Sequence, residues 1–360
     1  MTPASVQPGG WAAVWPLSWL LAGGYGALVR LRLAAYRRGW ARTRRAGAPV
    51  VSVGNLTVGG SGKTPFAEYL LRLALRAGLR PVLLSRGYGR RGRARVARVR
   101  AAEGTPPDPA ALGDEPALLA LRNPDVPVYA AARRWQAARL AMILDAPGLF
   151  VLDDGFQHLG LARELNVLLV DAERGLGNGR LLPWGPLREP VAALERADVI
   201  VITKANLGAA EALRTRLAGP LGATVPIFYC DYVPERLASL DGKSVLPPGS
   251  LAGQDVFLLC AIAQPEGFRA TVAALGASIA GTIALPDHHP YRAAELPALA
   301  ERLSTQGGAA ARWITTEKDA VKLRGRIPAP ERLWVLEMAV APEPAAETFF
   351  FDSLRRLAIQ

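Results

Sequence analysis

At 360 residues, half of them hydrophobic, the chain is long enough for two α/β units or one large one and can bury a sizeable core. Lys and Arg exceed Asp and Glu by 12, mostly as arginine, so acidic partners are expected: a nucleotide, a nucleic acid or an anionic membrane surface. The two cysteines, Cys230 and Cys260, exclude a disulfide framework, lack metal-ligand spacing and fit a reducing cytosol.

Residues 11 to 29, WAAVWPLSWLLAGGYGALV, are apolar but interrupted by Pro16 and Gly23-Gly24, and seven arginines from Arg30 to Arg45 crowd their C-terminal side. That charge order is the reverse of a secretory signal. A spanning helix needs about 20 well-formed apolar residues, so the stretch is marginal as one. It reads instead as a segment lying in a membrane interface, with Trp at headgroup level and Arg toward anionic lipid. A first helix packed on the domain is the alternative.

Residues Pro49 to Gly78 organise the rest of the chain. Val50, Val51 and Val53 suit a strand buried on both faces. Gly59-Gly60-Ser61-Gly62 lets backbone N–H groups converge on phosphate oxygens, and the next helix adds its positive end. Lys63 supplies a point charge and Thr64 a hydroxyl for Mg²⁺. Phe66, Leu70, Leu73 and Ala77 recur at helical spacing, with Gly78 where a C-cap belongs. The general pattern wants glycine where Thr57 stands.

A second strand, Pro81 to Leu84, ends in Ser85-Arg86-Gly87-Tyr88-Gly89, a loop that should lie beside the phosphates. Residues 90 to 100, RRGRARVARVR, read as a solvated edge strand or hairpin, since no nucleic-acid motif accompanies them. After a Pro/Ala linker, Gly113-Asp114-Glu115-Pro116 opens a helix to Arg122, and on pattern alone Asp114 is its N-cap. A strand at Val126 to Tyr129 and a helix at Arg133 to Leu144 come next.

Leu149 to Asp154 is an apolar strand ending in two carboxylates, where a nucleotide-binding fold places the partner of its Mg²⁺. A metal role for Asp153 and Asp154 is favoured over capping. A strand at Asn166 to Val170 leads into a long loop, Asp171 to Glu189, of a length that is usually functional or disordered. The strand Val199 to Thr203 ends in Thr203-Lys204-Ala205-Asn206, like the guanine-reading element of GTPases. Asn206 stands where Asp is needed to accept two donor hydrogens, which weighs against GTP.

Residues 226 to 250 change to short extended pieces, a two-stranded linker. A second α/β unit succeeds it, with strands at Asp255 to Ala261, Ile279 to Leu285, Arg312 to Thr315 and Leu333 to Glu337. The second of these ends in Asp287-His288-His289, a typical catalytic location, although a surface histidine is the plainer reading. The third ends in Thr315-Thr316-Glu317-Lys318-Asp319.

On these residues, the chain resembles the tetraacyldisaccharide 4′-kinase family of lipid A biosynthesis. The matched pieces are Ser52 to Pro65, Ser85-Arg86-Gly87-Tyr88, Gly113 to Pro116, Asp153 to His158, Leu187-Arg188-Glu189 and Asp287-His288. Thr57 is normal for that family, whereas residues 261 to 266, AIAQPE, lack the Gly-containing turn expected before Pro265.

The resemblance implies a P-loop-containing nucleoside triphosphate hydrolase-like α/β domain with a parallel sheet over 46 to 225. An N-terminal membrane-interface segment would cover 1 to 45, a two-stranded hinge 226 to 250 and a smaller α/β domain 251 to 360. It implies ATP-dependent phosphorylation of the 4′-hydroxyl of a membrane-embedded, acylated glucosamine disaccharide 1-phosphate, giving lipid IVA at the cytoplasmic face of the bacterial inner membrane. No nucleic acid and no obligate protein partner are expected.

Carried over residue by residue, Thr57, Val58, Gly59, Gly60, Ser61, Gly62, Lys63 and Thr64 bind ATP. Thr64, Asp153, Asp154 and Glu189 lie at or near Mg²⁺. Asn55, Ser85, Arg86, Gly87, Tyr88, Gln157 and His158 meet the acceptor; Asp114 paired with His288 is similar to the family's candidate base, and Lys63, on the phosphates, is the further catalytic residue. The rivals are a GTPase of the metallochaperone or switch type and a non-catalytic membrane-associated nucleotide-binding module. GTP-selective binding would favour the first, and indifference to loss of Asp114 the second.

Overall fold

The computed structural model describes residues 15–92, 94–221, 225–305, 312–328 and 330–359. Expectations placed on residues 1–14 lie outside these. The first helix, α1 (Trp15–Arg37), runs through Gly23 and Gly24, although each helical glycine costs about 1 kcal/mol relative to alanine. Tertiary contact overrides that preference on one face. Ser18 and Ala22 are buried, Tyr25 donates to the carbonyl of Arg188 at 2.8 Å and Arg32 to that of Gln157 at 2.7 Å. The helix is thus packed on the domain, as the alternative reading expects, yet it leaves Trp19, Leu20, Leu21, Leu28 and Leu31 exposed. Among the described residues, no helix is long and apolar enough to cross a membrane.

Strands β1 (Val50–Asn55), β2 (Pro81–Ser85), β4 (Val128–Ala130), β5 (Leu149–Leu152), β6 (Leu165–Asp171) and β7 (Val199–Thr203) pair in parallel in the order β7-β6-β1-β5-β2-β4. The short β3 (Ala97–Val99) closes the edge antiparallel to β4, which is the edge position expected of the basic stretch. Helices α2 (Lys63–Arg76), α3 (Pro109–Leu112), α4 (Asp114–Arg122), α5 (Arg134–Leu144) and α6 (Ala210–Leu221) connect these strands. The six residues of β1 are all buried, as a β-branched strand between two helical layers requires.

The second unit carries β10 (Asp255–Cys260), β11 (Ser278–Ala284) and β12 (Arg312–Thr316), again parallel, with helices α7 (Pro265–Ala274), α8 (Leu296–Thr305) and α9 (Glu317–Leu323). Two long strands join the units: β8 (Ile227–Ser239), parallel to β7 at its start, and β13 (Leu333–Pro342), parallel to β12 at its start. They run antiparallel to each other. The sheet is thus continuous from β11 to β3. A bulge between Glu337 and Met338 lies opposite Arg236 and Pro234, and a proline without an N–H explains the break in the ladder.

The structure corrects two expectations. The partner of the linker strand is not residues 242 to 248, of which β9 (Val245–Leu246) pairs for only two residues, but β13. Nor does the second unit extend to residue 360. Helix α10 (Pro344–Ala358) returns to the first unit, where Ala346, Phe350 and Leu354 join the core of Phe66 and Leu70. The Phe66 and Phe350 rings meet edge to face with centroids 5.4 Å apart. Full burial of one such side chain stabilises by roughly 1.5–3 kcal/mol, enough to hold a terminal helix whose pattern does not name its partner.

Candidate active site

The phosphate loop lies directly after β1, and Gly62 caps α2 in the left-handed region, φ 74°, with no side-chain cap. The first amide groups of α2 are therefore left to face a ligand. Two neighbours hold the loop from outside. Thr203 Oγ1, at the end of β7, donates to the carbonyl of Ser61 at 3.1 Å. The Asp171 to Glu189 segment folds back so that Val58 N–H donates to the carbonyl of Pro186 at 2.9 Å and Arg188 N–H to that of Leu56 at 2.7 Å. Asn206 spends its amide on the backbone of Tyr232, at 3.3 and 3.4 Å.

Lys63 is half-buried beside Asp154, Nζ to Oδ1 3.8 Å, and desolvation lowers its pKa against the pull of that carboxylate. Asp153 and Asp154 end β5, next to β1, and differ sharply. Asp154, at a strained φ of 48°, accepts from Arg188 at 3.0 and 3.1 Å. Asp153 is buried, and among the described residues neither of its carboxyl oxygens has a hydrogen-bond partner. Burial first, then Glu115 and Asp154, pushes its pKa up to about 7. A buried, unpaired carboxyl group of this kind fits a divalent cation. Glu189 is buried and ion-paired with Arg196. Among the described residues, no three His, Cys, Asp or Glu side chains converge as a metal cage. One or two carboxylates completed by phosphate oxygens is the usual arrangement for Mg²⁺.

Beside this lies a floor of buried polar atoms. Among the described residues the buried Asn55 side chain has no partner, and Gln157 Nε2 donates to its backbone carbonyl at 2.9 Å. His158 Nε2 is likewise unpartnered, and burial, with Arg134 and Arg163 behind it, drives the pKa of the ring down to about 3, hence neutral. Arg134, a residue of the expected α5 helix that no motif singled out, is 5% exposed with Nε unpartnered. Native proteins rarely leave such groups unpaired, and in this chain they cluster at the carboxyl ends of β1 and β5, where open α/β sheets bind ligands.

Asp114 is not the N-cap. Gly113 occupies that position without a side-chain bond, which frees the Asp114 carboxylate for the other unit. It lies 3.2 Å from His288 Nδ1 and 3.5 Å from Lys322 Nζ. Burial opposes its charge, but His288 and Lys322 hold its pKa below the ordinary value. The hydrogen bond to Asp114 raises that of His288 against burial. His288 sits at φ 59°, a costly conformation for a non-glycine residue, held by its N–H on the carbonyl of Ala261 at 3.2 Å. Ala261 N–H in turn donates to Asp319 at 2.9 Å. These contacts use backbone atoms of Ala261, so the missing glycine in residues 261 to 266 leaves the support of His288 in place.

The Ser85 to Tyr88 loop reaches the same spot. A Cβ at Gly87 would come within 2.6 Å of the Leu112 carbonyl, and one at Gly113 within 2.7 Å of the Tyr88 carbonyl, so the two turns interlock backbone to backbone. The exposed Tyr88 ring is thereby placed 5.9 Å from His288. Arg86 is exposed and Ser85 buried.

Helices α4 and α9 clamp the units together. Glu115 takes Lys318 at 2.8 Å, and Arg122 is a buried hub for Glu68 at 2.7 Å, Glu235 at 2.6 Å and Glu317. Burial favours a neutral Glu115, but Lys318 and Lys63 hold its pKa down. Glu115 therefore links the clamp to the phosphate loop.

Comparison with known proteins decides the family. The family described as tetraacyldisaccharide-1-P 4′-kinase matches residues 11–355. The chain belongs to this family. The tetraacyldisaccharide 4′-kinase of Alkalilimnicola ehrlichii is 40% identical over 337 residues, 94% of this chain and 92% of its own. That of Anaeromyxobacter dehalogenans is 45% identical over 303 residues, 82% and 78% respectively. The crystal structure of "apo" form LpxK from Aquifex aeolicus in complex with ATP superposes with a TM-score of 0.75 at 30% identity, covering 97% of this chain and 98% of that one.

Within this family, the P-loop-like α/β fold is as expected from the sequence. Sequence reasoning missed Glu115, Arg134, Lys318 and Lys322 as site residues. Each is an ordinary helical charge by pattern. Glu115 and Lys318 do stand at element ends with a recognisable lettering, Gly113 to Pro116 and Thr315 to Asp319, and that adjacency is the one signal that could have found them.

Proposed function

We propose that the chain transfers the γ-phosphoryl group of ATP to the 4′-hydroxyl of an acylated glucosamine disaccharide 1-phosphate at a membrane surface. The observation that carries this reading is a phosphate loop whose Lys63 acts on Glu115, the neighbour of Asp114, beside an Asp114–His288 pair contributed by both units. The acceptor oxygen bonds to the γ-phosphorus as the bond from that phosphorus to the β,γ-bridging oxygen breaks. ADP leaves with the electron pair and Asp114 takes the hydroxyl proton.

Lys63 and the amides of residues 57 to 64 hold the triphosphate. His288 and Lys322 keep Asp114 charged and aimed. Asn55, Gln157, His158, Arg134 and the Ser85 to Tyr88 loop would orient the acceptor, since their buried polar atoms lack protein partners or lie beside Asp114. Mg²⁺ would be held by Thr64 and Asp153, with Asp154 and Glu189 beside it, and would neutralise charge on the phosphate oxygens. The exposed apolar face of α1 lies against the interface of the cytoplasmic leaflet, which brings the cleft to an acceptor that stays in the membrane.

The test is transfer of label from radioactive ATP to a lipid A disaccharide precursor in detergent, with GTP as competitor. Labelled 4′-phosphate product is expected. Label found only as free phosphate, or a strict GTP requirement, would sink the reading. Trp19→Glu combined with Leu28→Glu should release the protein from anionic vesicles without changing its affinity for ATP.

A further inference from the structure

The 171 to 189 segment carries a cation that the proposed chemistry leaves unused. Asp171, at the end of β6, is buried and ion-paired with Lys204 Nζ at 2.8 Å, and Lys204 also holds Glu173 at 3.0 Å. The other Asp171 oxygen accepts the N–H groups of Glu173 at 2.9 Å and Arg174 at 3.3 Å. The turn is tightened by Gly175 N–H on the carbonyl of Asp171 at 2.7 Å and Gly177 N–H on that of Arg174 at 2.9 Å. This frame directs the Arg174 side chain at the phosphate loop: a Cβ on Gly59 would overlap its Nη1 atom. Arg174 is half-buried, and among the described residues its guanidinium has no hydrogen-bond or ion-pair partner.

A half-buried guanidinium left unpaired is unusual, because Arg is readily satisfied by carboxylates and phosphates in bidentate fashion. The Asp171 carboxylate at the base of its turn is occupied by Lys204 and the two amides. Its open side faces Gly59, four positions before Lys63 on the loop that cradles the triphosphate. From the residues that frame it, we infer that Arg174 is a cis arginine for phosphoryl transfer, donating to the γ-phosphate oxygens opposite Lys63. It stabilises the charge that spreads over them in the transition state. The absence of a side chain at Gly59 is then a requirement of the site twice over, through its φ of 108° and through the space Arg174 occupies.

This inference rests on the kinase reading, and the experiment separates the two. Wild type, Arg174→Gln and Arg174→Lys are compared for thermal unfolding, for kcat with the lipid disaccharide acceptor, and for retention of a fluorescent ADP with and without fluoroaluminate, which mimics the transferring phosphoryl group. Arg174→Gln should melt as wild type, lose about 10³-fold in kcat and lose the gain in ADP retention that fluoroaluminate produces, while its affinity for ADP alone stays within about threefold. Arg174→Lys should fall between them, and millimolar guanidinium should restore part of the rate to Arg174→Ala. Wild-type kcat together with wild-type fluoroaluminate response in Arg174→Gln overturns the assignment while the kinase reading stands. A wild-type protein that binds neither ATP nor ADP removes both.

Discussion

The phosphate loop and the Asp114–His288 pair are assembled differently. The loop is a single segment between β1 and α2, buttressed within its own unit by Thr203 and the 171 to 189 segment. The pair joins residues 174 positions apart and exists only where α4 meets the second unit. The pair needs side chains from both units in contact, and a site built in that way suits a reaction that must exclude water from a phosphoryl group. The α4–α9 clamp works in the same direction, since Arg122 draws carboxylates from α2, β8 and α9 to one point.

If the loop is the more autonomous half, Lys63→Ala should cost the most, at least about 10³-fold in kcat, with the melting temperature retained. Wild-type turnover would remove the phosphate-loop assignment. On the other half, Asp114→Asn should lower kcat by about 10²–10⁴-fold without loss of stability, because its side chain caps no helix. His288→Ala should lower it too, and the double variant should be less than additive. Additive losses would show that the two act separately.

Breaking the clamp should separate stability from chemistry. Arg122→Ala leaves the half-buried Glu317 without its cation and Glu68 with Arg72 alone, and should destabilise by about 3–5 kcal/mol in denaturant titration, with the pKa of Glu317, already pushed up to about 7, moving further up. An unchanged unfolding midpoint would deny the hub any structural weight.

The smallest effect is in pH. His288 has a folded-state pKa raised above 6.5 by Asp114. Its contribution to stability is complete below that unfolded value and fades as pH rises through the folded one. The melting difference between wild type and His288→Ala should therefore shrink as the pH is raised above about 6.5. A constant difference would mean that the pairing does not depend on the charge of the ring.

Much of the parallel sheet was legible because buried strands write themselves as β-branched runs. Val50 to Asn55 and Val199 to Thr203 lie where the runs place them. The hinge was half legible: the long extended segment before residue 240 is there, but its partner comes from far downstream, at residues 333 to 342, since strand pairing is settled by packing and not by local pattern. Asp114 shows the same limit. Gly-Asp-Glu-Pro before a helix satisfies every local rule for a cap, and only the approach of His288 and Lys322 turns the carboxylate outward.

By itself the sequence determined the phosphate loop, because glycines, Lys63 and Thr64 act through backbone conformation and charge within one short segment, and those are local properties. It determined the carboxylates at the end of β5 for the same reason. Only the tertiary structure decided that Asp153 stands unpaired while Asp154 is taken by Arg188 and Lys63, that Arg174 rests over Gly59, and that α10 belongs to the first unit. Burial and the identity of a charge's nearest neighbour depend on segments distant in the chain, and no period or spacing encodes which of two adjacent aspartates will find a cation.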